Sequence, residues 1–542
     1  MRSAWRLQMG TSPALEVWAW LLLCVALRGV YVYISETLAG PGQDLWFFFS
    51  SDTVQYGLIY RDLFEDGFRF GGWNISHAPE YVQMAVALIL RSLADTLTAG
   101  HVYEAMTQPV LLALALRFTL RRVWPDASSL GPFVAALVLW AIPAGYGSDW
   151  IAFVWSNRHG YTQILTILSL GLLLDVTRGA SRSVRPSLVL ALVVVLGTAS
   201  DMLFLVWFVA PALVAATIPV FVGRREPARR AVKGVAGGGI IGLAIFWVVT
   251  PVITVGSKLQ ITISGTWDAL NRISDQAFKS SPEHTLTAIV TLAGFLIAAG
   301  VAWRSADLGR RVAGVFVMAL LFSTLIAVAA TAAPFREEGY TRYFLAPQLS
   351  GLVTVVGVAA SAVGRWGMPL LATVLSVVVV LGLRPLPATI PPATAYYPPL
   401  VECLDSVAQK HRLQYGVADY WLAKYVTALS KSGLRVVAVT PRLDPFVDFT
   451  NVEWFLGGVG AKRHDRPRYT FTILGTRRPE GAGVSTSALS VLGAPVAVEH
   501  CEGFELQVLP LGADERIRQQ FRENPSIKAY YAREGLIVPG VP

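Results

Sequence analysis

Long apolar runs alternate with short polar joints over the first two-thirds of the chain. After about residue 400 the pattern changes to short strands and amphipathic helices. A membrane helix needs about 20 mainly apolar residues. Runs of that kind lie near 14–35, 101–123, 130–147, 161–177, 187–200, 202–222, 234–254, 284–303, 312–333, 343–363 and 366–384, with 187–222 open to a different split. The glycines of AGGGIIG (236–242) predict close helix packing. The first run follows MRSAWRLQ and has no convincing cleavage site, so it reads as a retained helix with a cytosolic N-terminus. Eleven spans then place the C-terminus outside and leave outer loops at 36–100, 148–160, 255–283 and 334–342. Within the first loop, the stretch 77–98 is apolar but carries Arg91 and Asp95, which favours a helix lying in the interface.

RPLPATIPPATAYYPP closes the membrane part (1–384) and predicts an extended linker over 385–399 that separates domains. Residues 400–542 read as an α/β domain outside the membrane. LQYGVADYW, a helix closed by Gly433 and LRVVAV form a βαβ unit; RYTFTILG, APVAVEH and FELQVLPL add strands, and ADERIRQQFREN a last helix. The expected fold is therefore a polytopic α-helical membrane protein of about 11 spans with an extracytoplasmic α/β domain.

Composition agrees with that pattern. Of 542 residues, 54% are hydrophobic and 15% charged, with a mean hydropathy of +0.51, whereas a soluble domain carries about a quarter charged residues. The net charge of +9 does not signal a nucleic-acid partner, because its arginines and lysines gather in the joints. Those around Arg121/Arg122, Arg178/Arg182, Arg224–Lys233 and Arg310/Arg311 all fall on the cytosolic side of the topology. Cys24 lies in the first run; Cys403 and Cys501, if outside the cytosol, form either a disulfide or two buried thiols.

The chemistry concentrates in the outer loops. Asp52, in Ser50-Ser51-Asp52-Thr53, follows LWFFF and suits a general base at the membrane surface, or equally a helix N-cap. Glu80, in HAPEY, closes the same loop and is a candidate for the same cavity. Asp62, Glu65 and Asp66 read as the solvated face of a short helix. Asp149 is a second candidate catalytic acid, or the cap of a short helix. Arg158 and His159 follow it, as phosphate ligand or snorkelling arginine and as substrate contact or interfacial histidine. PFREEGYTRYFLAP places Arg336, Tyr340, Arg342 and Tyr343 before a late span, where guanidinium groups can hold a lipid phosphate or pair with Glu337 and Glu338. Trp46, Trp73 and Trp150 suit sugar stacking or a membrane-interface belt. Asp201 reads as a helix cap, and NIS (74–76) as a sequon of conditional meaning.

This layout resembles the GT-C superfamily of integral-membrane glycosyltransferases: an acid soon after the first span (Asp52), a second acidic outer loop (Asp149), REEGYTRYFLAP before a late span, and an external C-terminal domain. It departs in having one acid rather than a pair in the second loop. The resemblance implies transfer of a sugar from a polyprenyl-phosphate carrier to a glycan, lipid or protein acceptor at the outer face of the plasma (inner) membrane. Asp52 would be the base, and Arg342, Arg336 or Arg158 would hold the leaving phosphate with Tyr340 as a hydroxyl donor. No cofactor is certain, and a divalent metal ion is left open. The competing expectations are a transporter or flippase for lipid-linked sugars, which would place charges in mid-span, and a non-catalytic membrane assembly protein.

Overall fold

The structure is a computed structural model. It describes residues 13–39, 48–49, 51, 53–75, 79–124, 130–141, 159–179, 184–253, 282–331, 341–362, 392–457, 467–475 and 483–539, with isolated positions between 271 and 377.

Helices stand where the apolar runs predict them: α1 (Pro13–Ala39), α2 (Tyr81–Ser92), α3 (Leu97–Val123), α4 (Leu130–Ala141), α5 (Gly160–Arg178), α6 (Arg185–Ser200) and α7 (Leu205–Phe221). They continue as α8 (Arg225–Ile253), α9 (Pro282–Arg304), α10 (Leu308–Thr331) and α11 (Leu345–Ala362). Windows in α1, α5, α8 and α10 are long and apolar enough to cross a membrane by length and composition, so the chain is an integral membrane protein. The expected span at 366–384 lies mostly outside the described residues. Helix α2, with 12 residues, is about 18 Å long and too short to span. The glycine-rich turn of α8 packs closely as expected: a Cβ at Gly238 would lie 2.7 Å from the Ala191 carbonyl, and one at Gly242 2.7 Å from that of Val195.

The C-terminal part holds α12 (Pro399–His411), α13 (Tyr420–Leu429), α14 (Ala513–Glu523) and α15 (Pro525–Arg533) around a five-stranded sheet. Its strands are β1 (Tyr415–Ala418), β2 (Arg435–Ala438), β3 (Tyr469–Leu474), β4 (Ala497–Cys501) and β5 (Phe504–Val508), in the order β2-β1-β3-β5-β4. The β1-α13-β2 unit is parallel, as its pattern predicts, and β5 returns antiparallel to β3. The first strand stops at Ala418, because the Asp419 carboxylate takes the Leu422 N–H at 2.7 Å and starts α13. That helix ends at Leu429, and Gly433 occupies the turn beyond it at φ 82°. Cys403 on α12 is disulfide-bonded to Cys501 at the end of β4, across a sequence separation of 98. Replacing both with serine is expected to cost about 2–4 kcal/mol. Thermal or urea unfolding of the full chain, with and without reductant, measures that loss; an unchanged midpoint would show the bond to be dispensable.

Two expectations need correcting. The Pro-rich segment does not hold the domains apart, because the α/β domain sits directly on the segment between α1 and α2. The Ser51 hydroxyl donates to the carbonyls of Tyr420 and Trp421 at 2.7 and 3.0 Å. The Val452 amide donates to Gly72 O at 2.7 Å and the Asn74 amide to Thr450 O at 3.0 Å, making an antiparallel bridge between Trp73 and Asn451. Trp73 is wholly buried with its ring edge-on to Trp454 at 5.3 Å, so it neither faces a sugar nor lies in a membrane belt. Asn74 of the sequon is buried too, donating to Asp448 at 3.3 Å.

The second correction concerns the acids of that loop. Asp62 is fully buried rather than solvated. Its Oδ2 accepts from Asn451 Nδ2 at 2.9 Å and Trp454 Nε1 at 2.8 Å. Arg435 of β2 pairs with Asp66 and approaches Asp62 at 3.8 Å, while Arg61 donates to Thr427 O at 2.8 Å. Burial pushes the Asp62 carboxyl up to about 7 against the opposing pull of Arg435, Arg61 and Asn451. Burial, with Arg435 nearby, likewise brings Arg61 down to about 10. Asp62 and Asp66 therefore face the second domain, whereas Glu65 is solvated as expected and pairs with Arg91 at 3.2 Å.

Candidate functional site

Three segments distant in sequence meet at one end of the bundle. Glu80 precedes α2 in the left-handed region, at φ 51°. Its own N–H donates to Ser200 O at 2.8 Å, and the Ser200 hydroxyl accepts from the Val82 N–H at 3.1 Å. His159 precedes α5 and is also left-handed, at φ 72°. Asp201 follows α6 and receives the Leu203 N–H on Oδ1 at 2.9 Å, as a cap should. Non-glycine residues at positive φ are uncommon and costly. Among the described residues six show it, and two of those six touch each other here.

The side chains interlock. Glu80 Oε2 accepts from the Tyr56 hydroxyl at 2.8 Å, and Oε1 accepts from the His159 N–H at 2.8 Å. His159 Nδ1 lies 2.6 Å from Asp201 Oδ2 and 3.3 Å from Glu80 Oε1. Thr162 adds a hydroxyl to the same Asp201 oxygen at 2.6 Å. All three ionisable residues are buried, with Glu80 2% and Asp201 1% exposed. Burial alone would raise the Asp201 carboxyl; the His159 charge and the bonds from His159, Thr162 and Leu203 outweigh it and hold Asp201 below the usual carboxylate range. Both acids face the same ring nitrogen, and an imidazole bonded there to a carboxylate carries its proton on Nδ1, toward Asp201.

Tyr343 reaches the same place from the turn before α11. Its ring centre is 6.0 Å from that of His159, and its carbonyl accepts from Trp207 Nε1 at 3.2 Å. Gln163, one turn into α5, donates to Leu345 O at 3.3 Å. Of the residues nominated from sequence, the structure thus brings together Glu80, His159 and Tyr343. Arg342 lies in the Thr341–Phe344 turn beside them, its side chain outside the description. Asp52, Asp149, Arg158, Arg336 and Tyr340 lie outside the described residues.

Two buried groups escaped the sequence reading. Asp201 looks like an ordinary cap until His159, 42 residues earlier, is placed on it. Glu104 sits in the apolar pattern of α3, 3% exposed, and accepts from Gln83 at 3.0 Å; an acid inside a membrane segment is the signal that marks it.

Glu80, His159 and Asp201 each offer one ligand atom, and these atoms lie within 4.8 Å of one another. They are the candidate metal set among the described residues, of oxygen and imidazole type that suits zinc or manganese. Metal binding through His159 Nδ1 would replace its bond to Asp201. As it stands the trio is a buried cluster in which both acids face His159 Nδ1, with Asp201 bonded to the ring and Glu80 to the backbone N–H.

No protein-family model matches the chain, and no curated protein does. Among solved structures it is similar to ArnT from Cupriavidus metallidurans, crystallised with undecaprenyl phosphate. The TM-score is 0.45 and the identity 13%, over 92% of this chain and 99% of that one.

Proposed function

We propose that the protein is a membrane glycosyltransferase of the GT-C kind, moving a sugar from a polyprenyl-phosphate carrier to a glycan, lipid or protein acceptor at the outer face of the membrane. The observation that carries this reading is the buried Glu80–His159–Asp201 cluster, built where the segments before α2, α5 and α11 meet. Buried ionisable groups held by strained backbone are costly to keep and cluster at functional sites. The disulfide supports an oxidising compartment for the second domain, and with it the outward orientation.

In the reaction, Asp52 takes the proton of the acceptor hydroxyl as its oxygen bonds to the anomeric carbon. The bond from that carbon to the phosphate oxygen breaks, and its electron pair leaves with the polyprenyl phosphate. Arg342, Arg336 or Arg158 balances the phosphate charge, with Tyr340 as hydroxyl donor. Glu80 and Asp201 hold His159 protonated at Nδ1 and fixed in orientation. A divalent ion held by the trio would supply further positive charge to the phosphate.

The test is an assay of membranes containing the protein with a sugar-labelled polyprenyl-phosphate donor. Label is expected to pass to a less lipophilic product or to a second lipid or protein, with stoichiometric release of polyprenyl phosphate. Movement of intact donor across sealed vesicles without cleavage would replace this reading with transport.

A further inference from the structure

His101, Glu104 and Gln108 lie on one face of α3, spaced three and four residues apart, and all are buried. His101 Nε2 is 2.5 Å from Phe48 O, in the segment that leads to Asp52. Glu104 Oε1 accepts from Gln83 Nε2 at 3.0 Å, and Gln83 stands in the first turn of α2, shortly after Glu80. Gln108 packs on the backbone beside His159, since a Cβ at Gly160 would fall 1.9 Å from its Nε2. This one helix face therefore seats the three segments on which the proposed transfer draws.

Glu104 is the member of the set hardest to explain by packing. It is 3% exposed, and among the described residues no lysine or arginine pairs with it; the charge that acts on it is that of another acid, Glu80. A carboxyl held inside a membrane helix without a counter-ion is destabilising, and an apolar residue would fill the same space without that penalty. Gln83 supplies the reason for an acceptor there, because its amide is buried as well and needs one. Their bond ties α2 to α3 next to the left-handed turn at Glu80. From the other side, Ser200 holds the Glu80 N–H through its carbonyl and the Val82 N–H through its hydroxyl. The turn is thus fixed between α6 and α3.

We propose that Glu104 is a positioning residue: through its bond to Gln83 it sets where the Glu80 carboxylate stands relative to His159. The role rests on the transfer reaction proposed above, in which Glu104 acts without touching the substrate. What Gln83 uses is the acceptor oxygen of Glu104, not its charge. A displacement of about 1 Å in a reacting constellation can cost about 10²-fold in rate, and a loosened Glu80 turn would be felt on that scale.

The test takes the purified full chain with the labelled polyprenyl-phosphate donor, measures kcat and donor KM separately, and follows hydrogen exchange at 80–84. Glu104→Leu is expected to lower kcat about ten- to a hundredfold with donor KM within about twofold, and to speed exchange at 80–84. Glu104→Gln, whose side-chain carbonyl still accepts from Gln83, should recover most of that rate and of the protection. Gln83→Met should match Glu104→Leu, and the double variant should be no worse than either, because the same bond is lost in all three. Unchanged kcat and exchange in Glu104→Leu, equal loss in Glu104→Gln, or additive losses in the double variant would overturn the proposal. If the wild-type chain leaves the donor intact, the transfer reading fails by itself, and exchange at 80–84 in the same variants decides whether Glu104 holds the turn.

Discussion

Glu80→Gln is expected to lower glycosyl transfer by about 10²–10⁴ while leaving the protein folded. Glutamine keeps the shape of the side chain, and its carbonyl can still accept the His159 N–H now bonded at 2.8 Å. The Tyr56 oxygen, at 2.8 Å, can accept from the new amide instead of donating. What disappears is one of the two negative charges beside His159 Nδ1. With one acid left, the imidazole holds its proton less well, and a metal bound by the trio loses a charged ligand. Release of polyprenyl phosphate from labelled donor, at matched protein amounts, measures the effect, and the thermal midpoint controls for folding. Chelation separates the two roles: a metal-dependent enzyme is silenced and then restored by added ion, whereas a purely hydrogen-bonded cluster is untouched. Asp52→Asn should fall in the same range, since it removes the proposed base. A Glu80→Gln rate within twofold of wild type would reduce Glu80 to a structural brace for two strained turns.

The helices and the α/β domain were legible because their signals are local. Apolar runs set α1, α5 and α10 within a few residues and the end of α8, whose charged first turns from Arg225 they missed; period-two alternation set β3, β4 and β5. The cysteine pair was legible only as two alternatives, a disulfide or two buried thiols, and the structure shows the disulfide. Parts of the site were legible as residue types: Glu80, His159 and Tyr343 are an acid, an imidazole and a phenol at the ends of outer segments. Their convergence was not, since Glu80 and His159 are 79 residues apart. Asp62 shows the same limit more sharply. Beside Glu65 and Asp66 it looks like one more solvated acid, and only partners 389 and 392 residues away turn it into a buried one. Trp73 was misjudged for the same reason, because Trp454 belongs to the other domain.

That docking also gives the second domain a physical task. The loop that ends at Glu80 is clamped along Ser51, Arg61, Asp62, Gly72 and Asn74 by α13, β2 and the segment around Asn451. Loops over a membrane site are ordinarily the mobile part of such a molecule. Here the backbone leading to Glu80 has partners on both sides, the bundle through Ser200 and the α/β domain through Thr450 and Val452. Transition-state stabilisation depends on groups held in place before the reaction begins, and in the proposed transfer the clamp would supply that fixity.

Asp62→Leu is expected to loosen the α/β domain by about 3–5 kcal/mol, because it leaves Arg435 and Arg61 short of a buried counter-charge. It also strands the Asn451 and Trp454 donors that now bond to Oδ2 at 2.9 and 2.8 Å. Asp62→Asn keeps an acceptor of the same shape and should cost far less, and the contrast between the two separates lost charge from lost packing. pH gives an independent handle. In the docked state the Asp62 carboxyl is raised to about 7 from 3.8, so between those values the docked form binds the proton that the released form gives up. The Asp62 contribution is therefore fully present below about pH 4, weakens as pH rises toward 7, and is flat above it, with a limiting slope of about 1.4 kcal/mol per unit. Hydrogen exchange at 61–66 and 435–454, followed from pH 5 to 8, should show protection falling as pH rises after correction for the intrinsic exchange rate. In Asp62→Asn that residual slope should disappear. A flat wild-type profile over this range would mean that Arg435 keeps Asp62 ionised in the docked state, since a carboxyl held at or below 3.8 does not titrate there.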